Sequence, residues 1–187
     1  MTYLTQAIVL RRDHLSDNDR RYVIYTSDFG KINAVVKGAK KTISKLNPHL
    51  DYFSVSNLML AKGVSFERVA SARLIHKFPT LQSNFYKSSS AFYFCEAVDA
   101  LIKYSLSDEV VFGIITDFYS QLEKSQSKKE VLFALNKSSF NLLRRLGYQP
   151  IITAKNQNQL FSHFNDQIQE ISEKEIKSFS FLSQILT

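Results

Sequence analysis

The chain has 187 residues, 44% of them hydrophobic and 13% aromatic, and its single cysteine excludes internal disulfides and cysteine-rich zinc sites. Its formal net charge of +7 is unevenly placed, because residues 1–80 hold 13 Lys and Arg against 6 Asp and Glu, whereas residues 81–187 hold 11 of each. This composition argues against wholesale disorder, and the asymmetry indicates an anionic partner, most commonly a nucleic acid, for the first part of the chain.

Five β-strands are predicted in the first 80 residues, where β-branched and apolar segments alternate with turn signals and no interval is long enough for a helix. They are expected at Tyr3–Arg12, Arg21–Thr26, Lys31–Lys37, Tyr52–Ala61 and Phe66–Lys77. Five short strands in this space predict a small closed barrel or sandwich. The basic character favours an OB-type barrel, with an SH3-like barrel as the structural rival.

Helical spacing of apolar residues begins after Pro79. A glycine suited to a helix end stands at Gly147, and Ser172 to Glu175 has the pattern of a capping box. Helices are therefore predicted at Leu81–Tyr104, Val110–Leu122, about Glu130–Leu146 and about Glu173–Leu186.

The segment LFSHFNDQIQEI, residues 160–171, is predicted to form a β-hairpin that turns at Asn165-Asp166. The predicted fold class is therefore α+β. Residues 1–79 form a five-stranded OB-fold barrel, and residues 80–187 form an all-helical domain with this short hairpin.

The lysine-rich stretch after the third strand is the first candidate binding site. From Phe29 to Leu50 there are five lysines and no acidic residue. Strand alternation places Lys37 on the outer face, and Gly38 permits a sharp turn after it. Loop amines of this kind are suited to follow a phosphodiester backbone, although an ordinary solvated loop is the alternative. The predicted contacts to DNA are Lys37, Lys40, Lys41 and Lys45, with Lys31 beside them.

The arginines around the first turn are secondary candidates, because three aspartates in DHLSDND partly cancel their charge. They are Arg11, Arg12 and Arg21, and weaker ones are Arg68 and Arg73. Among the aromatic residues, Phe29 at a turn tip is the strongest candidate for stacking on a base, although most aromatic residues of a small barrel belong to its core.

A basic helix face is predicted in the second half, because Lys137 and Arg144 are seven residues apart and Arg145 follows. Beside apolar side chains it is suited to hold an acidic peptide tail of a partner protein. A plain solvated face is the alternative.

Other classes of site and location are not indicated. There is no P-loop, Gly-rich dinucleotide turn, nucleophile elbow or HExxH, so we predict no enzyme, cofactor or metal. Glu96 and Asp99 interrupt the longest apolar region, so no membrane span is expected. The segment MTYLTQAIVLRR has its positive charge after the apolar run, the reverse of a signal peptide, so a cytoplasmic protein is predicted.

Several segments, in this order, resemble the bacterial recombination mediator family RecO. They are MTYLTQAIVLRR, then a strand and turn with GKI and VVKGA, then a basic loop and LNPHLDYF, then ASARLIHKFPTLQSNFYKSSSAFYFCEAVDAL and FNLLRRLGYQP. The resemblance covers roughly residues 1–150 well and the remainder loosely.

The resemblance implies an OB-fold barrel followed by a helical domain and a place at the bacterial nucleoid. It implies binding of single- and double-stranded DNA and annealing of complementary strands. It also implies work with RecR to load RecA onto strands covered by single-stranded-DNA-binding protein. Lys37, Lys40 and Lys41 fall where the family contacts DNA.

One segment departs from the family pattern. Many members carry four zinc-binding cysteines after the LGY.P segment, where this chain has TAKNQNQ, so no zinc is expected. This departure leaves open the capture of the acidic C-terminal tail of single-stranded-DNA-binding protein. Two further alternatives also stay open, a protein-interaction adaptor for an acidic partner and an RNA-binding OB protein.

Overall fold

A computed structural model describes residues 1–38, 49–104, 106–150 and 152–186. The chain divides into two compact units. The first consists of Met1–Lys77 with Ile102–Phe112, and the second of Phe78–Leu101 with Gly113–Thr187. Residues 102–112 thus group with the first unit, which the sequence does not predict. The domain boundary at residues 79–80 stays a prediction.

The first unit is a closed five-stranded barrel with the strand order β1-β2-β3-β5-β4, which confirms the predicted barrel class. All neighbouring strands are antiparallel except β3 and β5, which pair in parallel through Ala34 with Glu67 and Val35 with Arg68. The strands are β1 Thr2–His14, β2 Arg20–Thr26, β3 Gly30–Val36, β4 Ser54–Ala61 and β5 Glu67–Lys77.

Alternate residues of each strand fill the barrel. Tyr22 and Ile24 of β2 and Ala34 and Val36 of β3 are at most 1% exposed, and they pack in one apolar cluster with Leu58 of β4. Fully burying one valine, leucine or isoleucine side chain stabilises a fold by about 1.5–3 kcal/mol. The barrel is therefore held by its own core. On the outer face of β3, Asn33 and Val35 are half-buried, whereas Val23 and Tyr25 of β2 are buried there as well.

A β-bulge in β1 reverses the direction in which its last residues point. The register shifts between Val9 and Arg11, so that Arg12 lies opposite the core residue Tyr22 while Asp13 lies opposite Arg21. Residues directly opposite each other share a face of a sheet. Arg12 therefore points toward the barrel interior at its end, and Asp13 points outward.

The second unit consists of helices with an aromatic interior. Phe94 and Phe118 have ring centroids 4.6 Å apart, and Tyr93 and Phe161 have centroids 5.0 Å apart. Cys95 is buried with its Sγ 2.9 Å from the Tyr119 hydroxyl, and burial raises the pKa of its thiol to about 12. The helices of the chain are α1 Pro79–Ser83, α2 Phe85–Leu101, α3 Glu109–Lys124, α4 Lys128–Arg145, α5 Gln157–Ser172 and α6 Ser178–Leu186.

The end of α4 confirms the role predicted for Gly147, which adopts a φ of +88°. Its N–H donates to the carbonyl of Arg144 at 3.0 Å, and the N–H of Tyr148 donates to the carbonyl of Leu143 at 3.0 Å. This pair of bonds is the Schellman arrangement, which satisfies two carbonyls at the helix end.

The hairpin predicted at residues 160–171 is wrong, because this segment lies within α5. Phe161, Phe164 and Ile168 are spaced as on one face of a helix and are at most 1% exposed. The Asn156 side chain accepts a hydrogen bond from the N–H of Gln159 at 2.9 Å and caps the helix. A helix-period stripe and an N-cap therefore outweigh the turn signal of Asn165-Asp166.

The start predicted for the last helix is also wrong, because α6 begins at Ser178 and not at Glu173. Ser172 ends α5, and Glu173 adopts the left-handed conformation that closes it. The cap of α6 comes from a distant residue instead. The Glu96 carboxylate accepts hydrogen bonds from the N–H groups of Lys177 and Ser178 at 2.9 and 3.0 Å.

Candidate nucleic-acid interface

A groove of about 390 Å³ lies on the outer face of β3, between the β1–β2 and β4–β5 loops. In OB folds the face of strands 2 and 3 with these two loops is the surface that binds oligonucleotides and oligosaccharides. The basic residues that line the groove are Lys37, Lys62 and Arg68.

Lys37 is held at the rim by both of its neighbours. Val36 is buried in the core, and the Gly38 N–H donates a 2.8 Å hydrogen bond to Oδ1 of Asp19 in the β1–β2 loop. Gly38 adopts a φ of +68°, which glycine reaches at no steric cost. The exposed Lys37 side chain therefore points outward, as strand alternation predicts.

Lys62 and Arg68 enter the groove from the opposite side, at the two ends of the β4–β5 loop. The loop is tight, since a Cβ on Gly63 would lie 2.0 Å from the carbonyl oxygen of Phe66. Both basic side chains are exposed, and within the described part of the chain neither forms a hydrogen bond or an ion pair. Their charges are therefore available to an anionic ligand.

The two carboxylates that also line the groove are engaged by the protein. Asp19 accepts the hydrogen bond from Gly38, and Glu67 faces the Tyr3 hydroxyl. Burial together with the charge and hydrogen bond of Glu67 raises the pKa of Tyr3 to about 12. With three cations against these two carboxylates, the groove has a formal charge of +1.

Arg11 and Arg21, two secondary candidates from the sequence, share one carboxylate. Arg11 Nε lies 2.9 Å from Asp13 Oδ1, and Arg21 Nη2 lies 2.8 Å from Asp13 Oδ2. Partial burial alone would raise the pKa of Asp13, but hydrogen bonds and charges from both arginines outweigh it and lower that pKa. Arg21 also borders the groove, since its guanidinium carbon lies 5.9 Å from the ring centroid of Phe66.

Arg12, the third secondary candidate, is engaged in the fold. Its Nη2 donates to the carbonyl oxygen of Leu50 at 2.6 Å and to Asp51 Oδ1 at 2.8 Å. Its guanidinium carbon lies 4.1 Å from the ring centroid of Tyr52. These contacts join residues 50–52 to β1, so the geometry favours a structural role for Arg12.

Lys31 and Phe29 lie at the other end of the β2–β3 hairpin, one seven-residue strand or roughly 20 Å from Lys37. Lys31 is 3% exposed, with its ammonium 4.5 Å from the ring centroid of Tyr104. Phe29 is 40% exposed and packs on Tyr3, with ring centroids 4.4 Å apart. The structure therefore does not bring these two candidates into the groove.

Three of the predicted lysines, Lys40, Lys41 and Lys45, lie outside the described residues. They belong to the segment between Gly38 and His49. Their predicted contacts to DNA stay predictions.

Among the groove cations, Lys62 is not predicted from the sequence, and Arg68 is predicted only as a weak candidate. Lys62 directly precedes Gly63 in the β4–β5 loop, and Arg68 is the second residue of β5. The signal that finds them is topological, because in an OB fold the β4–β5 loop faces the β1–β2 loop. Counting charge along the chain does not reveal this proximity.

The basic helix face predicted in the second unit borders an apolar groove of about 240 Å³. Lys137 lines this groove with Phe140, and the Arg144 guanidinium carbon lies 5.6 Å from the Phe140 ring centroid. Arg145 follows on the last turn of α4. The remaining lining residues are Phe133, Asn136, Ile152, Gln157, Leu160 and Phe164.

No helix among the described residues is long and apolar enough to cross a membrane. No group of three or more His, Cys, Asp or Glu in this part of the chain is placed to hold a metal ion.

The barrel matches one family model, and most of the chain is similar to proteins of known name. Residues 1–78 match the family model described as "Recombination protein O N terminal". A "DNA repair protein RecO" from Dehalococcoides mccartyi strain 195 is 28% identical over 148 residues, which cover 79% of this chain and 57% of that protein.

Proteins of the same name from two other bacteria are similar to the chain to the same degree. The protein from Gloeothece citriformis is 28% identical over 80% of this chain and 53% of its own length. The protein from Roseiflexus sp. strain RS-1 is 29% identical over 79% of this chain and 51% of its own length. The chain therefore spans little more than half the length of these relatives.

Proposed function

We propose that the chain is a member of the RecO family and a DNA-binding mediator of recombinational DNA repair, because residues 1–78 match the N-terminal model of that family. In this proposal it acts without enzymatic chemistry, in the bacterial cytoplasm at the nucleoid. Its ligands are single- and double-stranded DNA. The relatives' name supports the repair role, and the barrel supports the ligand.

The observation that carries the proposal is the position of Lys37, Lys62 and Arg68. They come from two separate elements and line one groove on the face that OB folds use for oligonucleotides. Unpaired cations in such a groove suit a phosphodiester backbone, because binding releases the counterions condensed on the DNA. Lys40, Lys41 and Lys45 follow Lys37 in the chain and are proposed to extend this contact.

Strand annealing follows from binding of this kind. Neutralising the phosphates of two strands lowers their repulsion and lets them approach. Contacts to phosphate carry no sequence information, so most base edges stay free to pair with a complementary strand.

The proposed partners follow from the family and from the second unit. RecR and the loading of a recombinase are proposals that rest on the family alone. The acidic C-terminal tail of single-stranded-DNA-binding protein suits the apolar groove of Lys137, because that groove joins aromatic walls with cations at Lys137 and Arg144. Arg145 is the third proposed contact.

Two alternatives make different predictions. An adaptor for an acidic protein would bind DNA weakly and without dependence on DNA length. An RNA-binding OB protein would prefer RNA over DNA of equal length, which requires contact with the 2′-hydroxyl. Affinity for matched DNA and RNA oligonucleotides of two lengths separates all three functions.

The test of the proposal is the affinity for a fluorescent 30-mer of single-stranded DNA, measured by anisotropy. The variant Lys37→Ala/Lys62→Ala/Arg68→Ala should bind about tenfold or more weakly, since each exposed ion pair contributes up to about 1 kcal/mol. The control is Lys129→Ala/Lys155→Ala/Lys174→Ala, which removes three exposed lysines of the second unit.

The control keeps the net charge equal in the two variants. Wild-type affinity in the groove variant, or an equal loss in the control, would contradict a phosphate site in this groove. Weak, length-independent binding by the wild type would favour the adaptor.

A further inference from the structure

A second cavity adjoins the basic groove and shares the β4–β5 loop with it. It has a volume of about 330 Å³ and lies on the next outward position of β3, where Asn33 replaces Val35 of the groove. These two positions are about 7 Å apart, since they differ by two residues of a strand. A chain bound along β3 would therefore meet the groove and the cavity in succession.

The walls of this cavity differ from those of the groove in charge. Its lining contains one cation, Lys62, and one carboxylate, Glu67, so its formal charges cancel. Phe66 and Tyr104 add aromatic surface to a lining that is otherwise largely polar, with Asn33 and Ser65 among its side chains. A cavity with balanced charge, an aromatic wall and polar side chains suits a neutral planar group with polar edges better than a phosphate.

Tyr104 is held in place as one wall. Its hydroxyl donates to Oδ1 of Asn33 at 3.4 Å, and the Lys31 ammonium lies 4.5 Å from its ring centroid. The residue is still 46% exposed. The Lys31 ammonium and the Asn33 side chain contact Tyr104 on the protein side, and the exposed part of its side chain is available for stacking.

We infer that this cavity is a nucleobase subsite, in which Tyr104 stacks on one base of a strand whose phosphates lie in the adjoining groove. The Asn33 side chain offers an amide N–H donor to the edge of that base, while its oxygen already accepts from Tyr104. The inference rests on the proposed function, because it assigns a base to the strand that the groove binds. A stacked aromatic tolerates any base, so the subsite adds affinity with little sequence preference.

The test compares a fluorescent thymidylate 30-mer with an otherwise identical 30-mer of abasic sites, at several salt concentrations. The wild type should bind the abasic strand about fivefold or more weakly, as loss of one stacked base predicts. The variant Tyr104→Leu should bind both strands alike and keep the salt dependence of the wild type, because its phosphate contacts are intact. Asn33→Ala should show a smaller effect in the same direction.

Tyr148→Ala is the control, since Tyr148 is an exposed tyrosine of the second unit. This variant should bind the thymidylate strand more tightly than the abasic strand, as the wild type does. Equal affinity of the wild type for both strands would overturn the base subsite and leave the phosphate groove standing. So would discrimination that persists in Tyr104→Leu. Absence of salt-dependent binding to either strand would instead overturn the proposed function. The wild-type comparison stands even where a variant fails to fold.

Discussion

Asp13 limits the positive charge that the barrel presents beside the groove. One carboxylate binds the guanidinium groups of both Arg11 and Arg21. Because this pairing lowers the pKa of Asp13 from its ordinary value of 3.8, the ionised carboxylate stabilises the folded barrel. The arginines that the sequence suggests as ligands for DNA are thus partly neutralised within the protein.

The first prediction concerns the pH dependence of this contribution. A carboxyl with a lowered pKa stabilises the fold above its unfolded pKa and loses that effect as the pH falls through its folded pKa. The wild type should therefore exceed Asp13→Asn in free energy of unfolding at pH 6, and the difference should shrink below about pH 4. Urea unfolding at a series of pH values measures it, with Asp17→Asn as the control for charge. A difference that stays constant with pH would contradict the pairing.

Arg12 is predicted to act on stability and not on DNA affinity. Arg12→Ala removes the hydrogen bonds to Leu50 and Asp51 and the contact with Tyr52. It should lower the free energy of unfolding by about 1–3 kcal/mol. Arg73→Ala, an exposed arginine of β5, should change it little. If Arg12→Ala weakens DNA binding in a barrel of unchanged stability, Arg12 belongs to the interface instead.

The sequence predicts correctly which way the Lys37 side chain points, but it does not predict that Arg11 and Arg12 have different roles. Alternation correctly places Lys37 outward, because β3 is regular from Gly30 to Val36. In β1 the bulge after Val9 adds one residue, which exchanges the faces of all residues that follow. The run Arg11-Arg12 contains no signal for that bulge.

Among the elements, strands are predicted more accurately than the last helices. The five predicted strands differ from the observed ones by at most two residues at either end. The strands alternate apolar and polar residues, and turn residues such as Gly30 and Gly63 mark where the strands begin and end. The error at residues 160–171 arises because Asn165-Asp166 resembles a turn, whereas buried Asn165 accepts a hydrogen bond from the distant Tyr93 hydroxyl at 3.3 Å. The start of α6 is also mispredicted, because its cap is Glu96, a residue 82 positions away in the sequence.

Two glycines of the second unit, Gly113 inside α3 and Gly147 just beyond the end of α4, are predicted to change stability in opposite directions when replaced by alanine. Neither Gly113 nor Gly147 has an atom within 4 Å of the position that a Cβ would take, so both alanine substitutions test the backbone alone. Gly113→Ala within α3 should raise the free energy of unfolding by about 0.5–1 kcal/mol. Gly147→Ala, at a φ of +88°, should lower it by about 1 kcal/mol. Urea unfolding monitored by circular dichroism measures both, and a gain in stability for Gly147→Ala would contradict the helix end described above.

At the scale of the whole molecule, charge asymmetry and topology contribute different information. The uneven charge of residues 1–80 identifies the barrel as the basic part. It does not show that Lys37 and Lys62, 25 positions apart, line one groove, because the pairing of β3 with β5 brings them together. The sequence alone thus predicts the ligand class and one of the three groove cations as a principal contact.

The most direct measurement is the salt dependence of binding to a single-stranded 30-mer, for the wild type beside Lys37→Ala/Lys62→Ala/Arg68→Ala. Each phosphate contact on a single strand contributes about 0.7 to the slope of log affinity against log salt. We expect a slope flatter by about 2 in the variant, and an unchanged slope in the control with three lysines removed from the second unit. Equal slopes for wild type and groove variant would contradict this expectation, because the groove cations would then contact no phosphate.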